Sequence, residues 1–118
     1  MATGFLTTHV LDTGRGVPAE GMKIELFQLD DGRRLLREMA TDSDGRTDSP
    51  ILPTGEFTTG EYELVFHAGD YLDASGVPPE QPRFLNVIPI RFGISDPASH
   101  YHVPLLISPF GYSTYRGS

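Results

Sequence analysis

The chain has 118 residues and a net charge of −7, from 9 Lys and Arg against 16 Asp and Glu. This length fits a single domain, which we place at residues 1–118, with room for one hydrophobic core. With one lysine and eight scattered arginines, the chain lacks the basic patch that phosphate binding needs, which argues against a nucleic-acid partner. It contains no cysteine, so disulfides, thiol nucleophiles and thiolate metal sites are excluded.

The sequence shows no sign of a membrane-spanning helix or of a signal peptide. No apolar run approaches the roughly 20 residues that a membrane-spanning helix requires. Residues 1–5 show neither the charged region nor the long apolar region of a signal peptide. We therefore expect a cytoplasmic protein without a membrane partner, with a processed periplasmic or peroxisomal precursor as the alternative.

Glycines and prolines divide the chain into short apolar segments, a pattern typical of all-β sandwiches and barrels. In residues 22–26 and 61–66 apolar side chains alternate with charged ones, which indicates strands with one buried and one solvent-exposed face. Residues 69–76 are the one segment that suits a helix, of about two turns. The pattern predicts strands at about 5–12, 22–29, 34–41, 61–67, 86–94, 101–107 and 112–116, with a short one near 51.

The predicted strand at 101–107 is apolar on both of its faces. Such a strand in an antiparallel sandwich needs a second covering surface, and another copy of the subunit is the simplest candidate. On the N-terminal strand His9 shares a face with Leu11, as His102 shares one with Leu106. The two histidines could therefore lie together on the outer face of one sheet, at a subunit interface.

The four histidines differ in how well they suit a functional site. Mid-strand positions usually hold β-branched or aromatic residues, so histidines at positions 9 and 102 are unusual and suggest a functional role. The alternative for each is a purely structural histidine that is held by hydrogen bonds. The spacing of His100 and His102 also suits a metal-ligand pair, but zinc needs at least three protein ligands and no further ligands cluster nearby in the sequence. His67 and His100 fall at strand ends, where solvent exposure is expected.

Arginines and the last residues supply the other candidates. Arg46 follows Asp44 and Gly45 in a predicted turn and is a candidate for the site. The alternative is an arginine at the tip of the turn that contacts only solvent. Residues 115–118 bring an aromatic side chain, an arginine and the terminal carboxylate together at the end of a patterned strand. Chain ends usually fray unless something ties them down, so we interpret this segment as a candidate part of a site.

These segments occur together in a known family. Residues 8–12 (THVLD), 42–47 (DSDGRT), 100–106 (HYHVPLL) and 115–118 (YRGS) resemble the 5-hydroxyisourate hydrolases, transthyretin-related enzymes of purine degradation. The resemblance runs from about residue 5 to the last residue. It implies an all-β, prealbumin-like (transthyretin-like) sandwich of two four-stranded sheets with one short helix. It also implies a homotetramer with active sites at the dimer–dimer interface.

The same resemblance implies a reaction and its residues. The reaction is hydrolysis of the N1–C6 amide of 5-hydroxyisourate to 2-oxo-4-hydroxy-4-carboxy-5-ureidoimidazoline in urate degradation, without a metal or cofactor. The catalytic residues implied are His9, His102, Arg46 and Ser118. The substrate-binding residues implied are His9, Arg46, Tyr115, Arg116 and Gly117.

Hydrolysis of a cyclic amide needs a base for water, charge stabilisation at the carbonyl and an acid for the leaving nitrogen. Histidine suits both proton transfers because its ordinary pKa is about 6.5. We therefore expect His9 and His102 to position and deprotonate the water, with either of them as the base. Arg46 would hold the substrate oxygens through two parallel hydrogen bonds, and Tyr115 and Ser118 would close the cleft.

Two other classes of protein remain as alternatives. The first is a transthyretin-like carrier of hydrophobic small molecules, against which the polar candidate residues argue, since a carrier favours an apolar channel. The second is a structural or adhesive β-sandwich module, which residues 16–18 and 41–45 resemble. Such a module would not explain the patterned C-terminal segment.

Overall fold

The computed structural model of the protein describes residues 3–117, which form ten strands and one helix. In chain order the elements are β1 (Phe5–Thr7), β2 (Val10–Asp12), β3 (Val17–Pro18), β4 (Lys23–Gln28), β5 (Arg34–Ala40), β6 (Gly60–His67), α1 (Ala68–Ala74), β7 (Val87–Ile94), β8 (His100–His102), β9 (Leu105–Ser108) and β10 (Gly111–Thr114). The helical structure within this range is too short and too polar to cross a lipid bilayer.

Two four-stranded sheets form a sandwich around one hydrophobic core. The first sheet has the strand order β5-β4-β6-β7, with antiparallel neighbours throughout. The second has the order β10-β9-β2-β3, in which β2 and β9 run parallel. Ile24 and Phe66 of the first sheet and Val10 and Ile107 of the second are completely buried. The alternating pattern of the sequence therefore places one face of each sheet in the core.

The strands predicted at 5–12 and 101–107 are each divided in two. Their first halves pair in parallel as β1 and β8, and their second halves pair in parallel as β2 and β9. Pro104 lies at the break and has no N–H to donate. Backbone pairing nevertheless continues across it, because the Leu105 amide donates to the His9 carbonyl at 2.8 Å. Both strands thus bend together, and His9 lies in the bend.

The other predicted elements are present at nearly their predicted bounds. The helix predicted at 69–76 is α1, whose Tyr71 and Leu72 pack into the core. The short strand predicted near 51 is instead a single bridge between Leu52 and Leu6. The two-residue strand β3 was not predicted, because it is too short for any alternation to be visible.

Candidate active site

A cleft of about 470 Å³ lies where β1 and β8 meet the loop at 46–50. Eight of its nine lining residues carry polar side chains, which supply hydroxyls, two imidazoles, a guanidinium and a carboxylate. The lining residues are Thr7, Thr8, Arg46, Thr47, Asp48, Ser49, Pro50, His100 and His102. Two of the candidates from the sequence, Arg46 and His102, therefore share one cleft. Among residues 3–117 no three His, Asp or Glu side chains are grouped so as to hold a metal ion.

His102 reaches this cleft from β8. The parallel register places it opposite Thr7 of β1, and its Nδ1 lies 2.8 Å from the Thr7 hydroxyl. Burial lowers the pKa of His102 below its ordinary value, and the positive charge of Arg46 lowers it further. His102 is therefore neutral at neutral pH, as a residue that accepts a proton must be.

His9 approaches His102 from the bend between β1 and β2. The centroids of the two imidazole rings are 6.4 Å apart. The Nε2 atom of His9 lies 2.8 Å from the carbonyl oxygen of Asp44. A carbonyl oxygen only accepts, so Nε2 carries the hydrogen and donates it. Neutral His9 therefore has its lone pair on Nδ1.

A tight turn fixes the position of Arg46. The Asp42 carboxylate accepts hydrogen bonds from the backbone N–H groups of Asp44 (2.9 Å) and Arg46 (3.2 Å). Gly45 has φ +78°, and its carbonyl accepts the Val10 N–H at 2.8 Å. A Cβ at position 45 would lie 2.3 Å from the Val10 carbonyl oxygen, so only glycine fits. The DSDGR segment thus attaches Arg46 to β2, beside His9.

The C-terminal segment passes directly beside His102. The Gly117 N–H donates to the His102 carbonyl at 2.7 Å. A Cβ at position 117 would lie 3.0 Å from Cδ2 of the His102 ring, which is closer than side chains normally pack. Gly117 is therefore in contact with the candidate base, and the absence of a side chain permits the approach. Ser118 lies outside the described residues.

Tyr115 and Arg116 face a different part of the surface. They line a groove of about 240 Å³ together with residues 90–93 of β7. The Arg116 guanidinium lies 4.0 Å from the centroid of the Tyr101 ring, a distance typical of cation–π contacts. These two candidate substrate-binding residues are not among the residues of this chain that line the histidine cleft.

His100 and His67, which were expected to be exposed to solvent, are each only partly exposed and make specific contacts. His100 is half-buried in the cleft, where its ring stacks on Phe5 with centroids 4.2 Å apart. His67 is paired with Glu25, with 2.6 Å between Nε2 and Oε1. The two-residue spacing of His100 and His102 already placed both on one face of a strand. The partner strand that makes this face a cleft could not be identified from the sequence.

Similarity to known sequences extends over nearly the whole chain. Residues 6–117 match the model of the HIUase/Transthyretin family. Among the relatives, 5-hydroxyisourate hydrolase 2 of Rhizobium meliloti (strain 1021) is 60% identical over 117 residues, which make up 98% of this chain and 98% of that protein. The matched range includes the DSDGR turn, both halves of the bent strand pair and Gly117.

Solved structures of related proteins superpose closely on this fold. An (S)-allantoin synthase superposes with a TM-score of 0.93 at 50% identity over 99% of this chain, which spans 44% of that longer chain. Transthyretin from Sparus aurata superposes with a TM-score of 0.83 at 27% identity over 95% of each chain. The predicted transthyretin-like sandwich of two four-stranded sheets with one short helix is therefore confirmed. Taken with the match over residues 6–117, this means that the chain belongs to the HIUase/Transthyretin family.

Proposed function

We propose that the protein hydrolyses 5-hydroxyisourate by opening its N1–C6 amide, which gives 2-oxo-4-hydroxy-4-carboxy-5-ureidoimidazoline in urate degradation. The observation that carries this proposal is the placement of His9 and His102, with ring centroids 6.4 Å apart. Arg46 shares the cleft with His102 and forms a backbone bridge with His9. Relatives that bear the name 5-hydroxyisourate hydrolase support the choice of substrate.

The two histidines supply the proton transfers that the reaction needs. We assign the role of base to His102, because burial and the charge of Arg46 lower its pKa and favour the neutral form that can accept a proton. His9 donates from Nε2 to the Asp44 carbonyl, so only its Nδ1 is available to a water molecule or to the substrate. We assign His102 to deprotonation of the attacking water and His9 to positioning of that water. The water oxygen bonds to C6, and the proton held by His102 then passes to N1 as the C6–N1 bond breaks, which returns His102 to its neutral form.

Arg46 acts as the substrate-binding cation of the cleft. Its guanidinium is planar and can donate two parallel hydrogen bonds to neighbouring oxygens of a flat heterocycle. The same positive charge stabilises an oxyanion that develops at the carbonyl during attack. The hydrogen-bonding side chains of the cleft, Arg46, His100 and His102 among them, suit such a substrate better than the hydrophobic ligand of a carrier.

The test is an assay of freshly generated 5-hydroxyisourate, followed by its ultraviolet decay. We expect His102→Asn to lower the rate by about 10²–10⁴ because it removes the base. His67→Asn is the matched control, since His67 pairs with Glu25 away from the cleft, and it should retain activity. Absence of turnover by the wild-type protein, with the substrate bound unchanged, would instead support the carrier.

We further propose the homotetramer, with its active sites at the dimer–dimer interface. Its first support is that β7 and β10 are edge strands on one side of the sandwich. Edge strands have unpaired backbone groups that a second copy can satisfy. Large exposed hydrophobic side chains follow this side, namely Phe84, Val87, Phe110, Tyr112 and Tyr115.

A second support is the outer face of the sheet that contains β2 and β9. Leu11 and Leu106 are register partners there, and both are only partly buried within one subunit. This is the face predicted to need a covering surface. An opposing dimer on this face would enclose the histidine cleft and exclude water from it.

A further inference from the structure

The Thr7 side chain lies between two histidines of the cleft. Its Oγ1 is 2.7 Å from Nε2 of His100 and 2.8 Å from Nδ1 of His102. The parallel register of β1 and β8 creates this arrangement, because it places Phe5 opposite His100 and Thr7 opposite His102 on one face. Thr7 was not a candidate from the sequence, and His100 was considered only as a metal-ligand partner of His102.

The hydroxyl links the protonation states of the two rings. A threonine hydroxyl has a single hydrogen to donate, so it donates to one ring nitrogen and accepts from the other. In one arrangement His102 carries its hydrogen on Nδ1, and the Thr7 hydroxyl donates to Nε2 of His100. In the reverse arrangement the hydroxyl donates to Nδ1 of His102, and the hydrogen of His102 is on Nε2.

Only the first arrangement leaves His102 able to act as a base through Nε2. Among residues 3–117, the Nε2 atom of His102 forms no hydrogen bond, so it is the nitrogen that can face a substrate water. When it takes a proton, Nδ1–H continues to donate to Thr7, and this hydrogen bond becomes charge-assisted. The bond to Thr7 therefore needs no rearrangement during the reaction.

The ring of His100 is held with Nε2 towards the Thr7 hydroxyl, an orientation that the first arrangement uses with Nε2 as the acceptor. Its ring lies nearly parallel to the Phe5 ring, with an interplanar angle of 14° and 4.2 Å between centroids. Stacking and the contact with Thr7 together direct Nε2 of His100 towards the hydroxyl. As an acceptor at that position, His100 draws the Thr7 hydrogen away from His102.

We propose that Thr7 and His100 are positioning residues that hold His102 in its Nδ1–H form, so that Nε2 is presented as the base. Their effect on the rate rests on the proposed hydrolase function. The tautomer itself is a property of the free protein and can be measured without the substrate.

The kinetic test compares Thr7→Val with Thr7→Ser. Valine keeps the branched shape and removes the hydroxyl, whereas serine keeps the hydroxyl. We expect Thr7→Val to lower kcat roughly 10–100-fold, the size of the effect seen when the hydrogen-bond partner of a metal-binding histidine is removed, with KM nearly unchanged. Thr7→Ser should recover most of the loss. An unchanged kcat in Thr7→Val, or an equal loss in Thr7→Ser, would overturn the proposal.

The spectroscopic test uses the nitrogen-15 NMR shifts of the His102 ring at about pH 8, where an ordinary imidazole is neutral. We expect wild-type His102 to be protonated on Nδ1 and His100→Phe to shift it towards protonation on Nε2, since the Thr7 hydroxyl is then released to donate to Nδ1. Wild-type His102 protonated on Nε2 would contradict the inference even if the enzyme is active. Lack of hydrolysis by a wild-type protein with the expected tautomer would contradict the proposed function alone.

Discussion

The pKa of His102 differs from that of an ordinary histidine because of the groups around it. Burial is the largest cause of its lowered pKa, followed by the positive charge of Arg46 and the proximity of His100 and His9. These groups approach from three elements: Arg46 from the turn, His100 from β8 and His9 from the bend. Each of them disfavours a second positive charge in the cleft.

The lowered pKa of His102 predicts two effects of acid. Because the base must be neutral, the acid limb of kcat/KM should have its midpoint below the ordinary histidine value of about 6.5. Between its folded and unfolded pKa values, His102 binds fewer protons in the folded protein than in the unfolded chain. Its contribution therefore makes the free energy of unfolding fall as the pH drops below about 6.5, and it has no effect above that value.

The measurement is an NMR titration of the His102 ring alongside the pH profile of kcat/KM. Arg46→Gln should raise the pKa of His102, though by less than burial lowers it, since burial is the larger cause. If both the NMR titration and the kcat/KM profile have midpoints at or above about 6.5, the pKa of His102 is not lowered by burial and Arg46.

At the scale of elements, the turn at 42–46 is the part on which the site depends most. Gly45→Ala should destabilise the protein, because the turn requires φ +78° and a Cβ would lie 2.3 Å from the Val10 carbonyl oxygen. Backbone strain of this kind costs about 1–3 kcal/mol, and the close contact adds to it. We also expect lower activity, since the turn carries both Arg46 and the carbonyl that orients His9.

Gly32→Ala is the matched control for this prediction. Gly32 has the same φ of +78°, but a Cβ there would meet no atom within 4 Å. Urea unfolding should show a smaller loss of stability for Gly32→Ala, and the ultraviolet assay should show unchanged turnover. Equal losses of unfolding free energy in the two variants would mean that the close approach to the Val10 carbonyl does not affect stability.

The sequence predicted strands correctly where side-chain alternation determines which residues are buried. It failed where contacts between distant segments determine burial. The alternation in 22–26 correctly predicted β4. In β6, however, Glu63 was expected on a solvent-exposed face and is only 4% exposed. Arg33 and Arg91 cover it with ion pairs of 2.9 Å each. These arginines come from other segments, so the alternation within β6 could not reveal them.

At the scale of the whole molecule, the edge formed by β7 and β10 should hold two subunits together. Tyr112 of β10 is 47% exposed within one subunit, and a charge at this position would be buried in the proposed interface. We expect Tyr112→Lys to break the contact between these edges, so that light scattering shows a species smaller than a tetramer.

Leu35→Lys provides the control, since Leu35 of β5 is 48% exposed at the far edge of the other sheet. This variant should remain tetrameric and active. A wild-type protein that is monomeric and fully active would refute the assembly while leaving the cleft chemistry intact.

The sequence by itself determined the all-β class, most strand positions, the resemblance to the family and three candidate residues that the structure brings together, His9, Arg46 and His102. It could do so because alternation and short motifs are local. Only the tertiary structure decided that Thr7 and His100 belong to the cleft and that Tyr115 faces a separate groove. The physical reason is that the Thr7 hydroxyl meets imidazoles 93 and 95 residues away, through a parallel strand pair whose register no local pattern specifies.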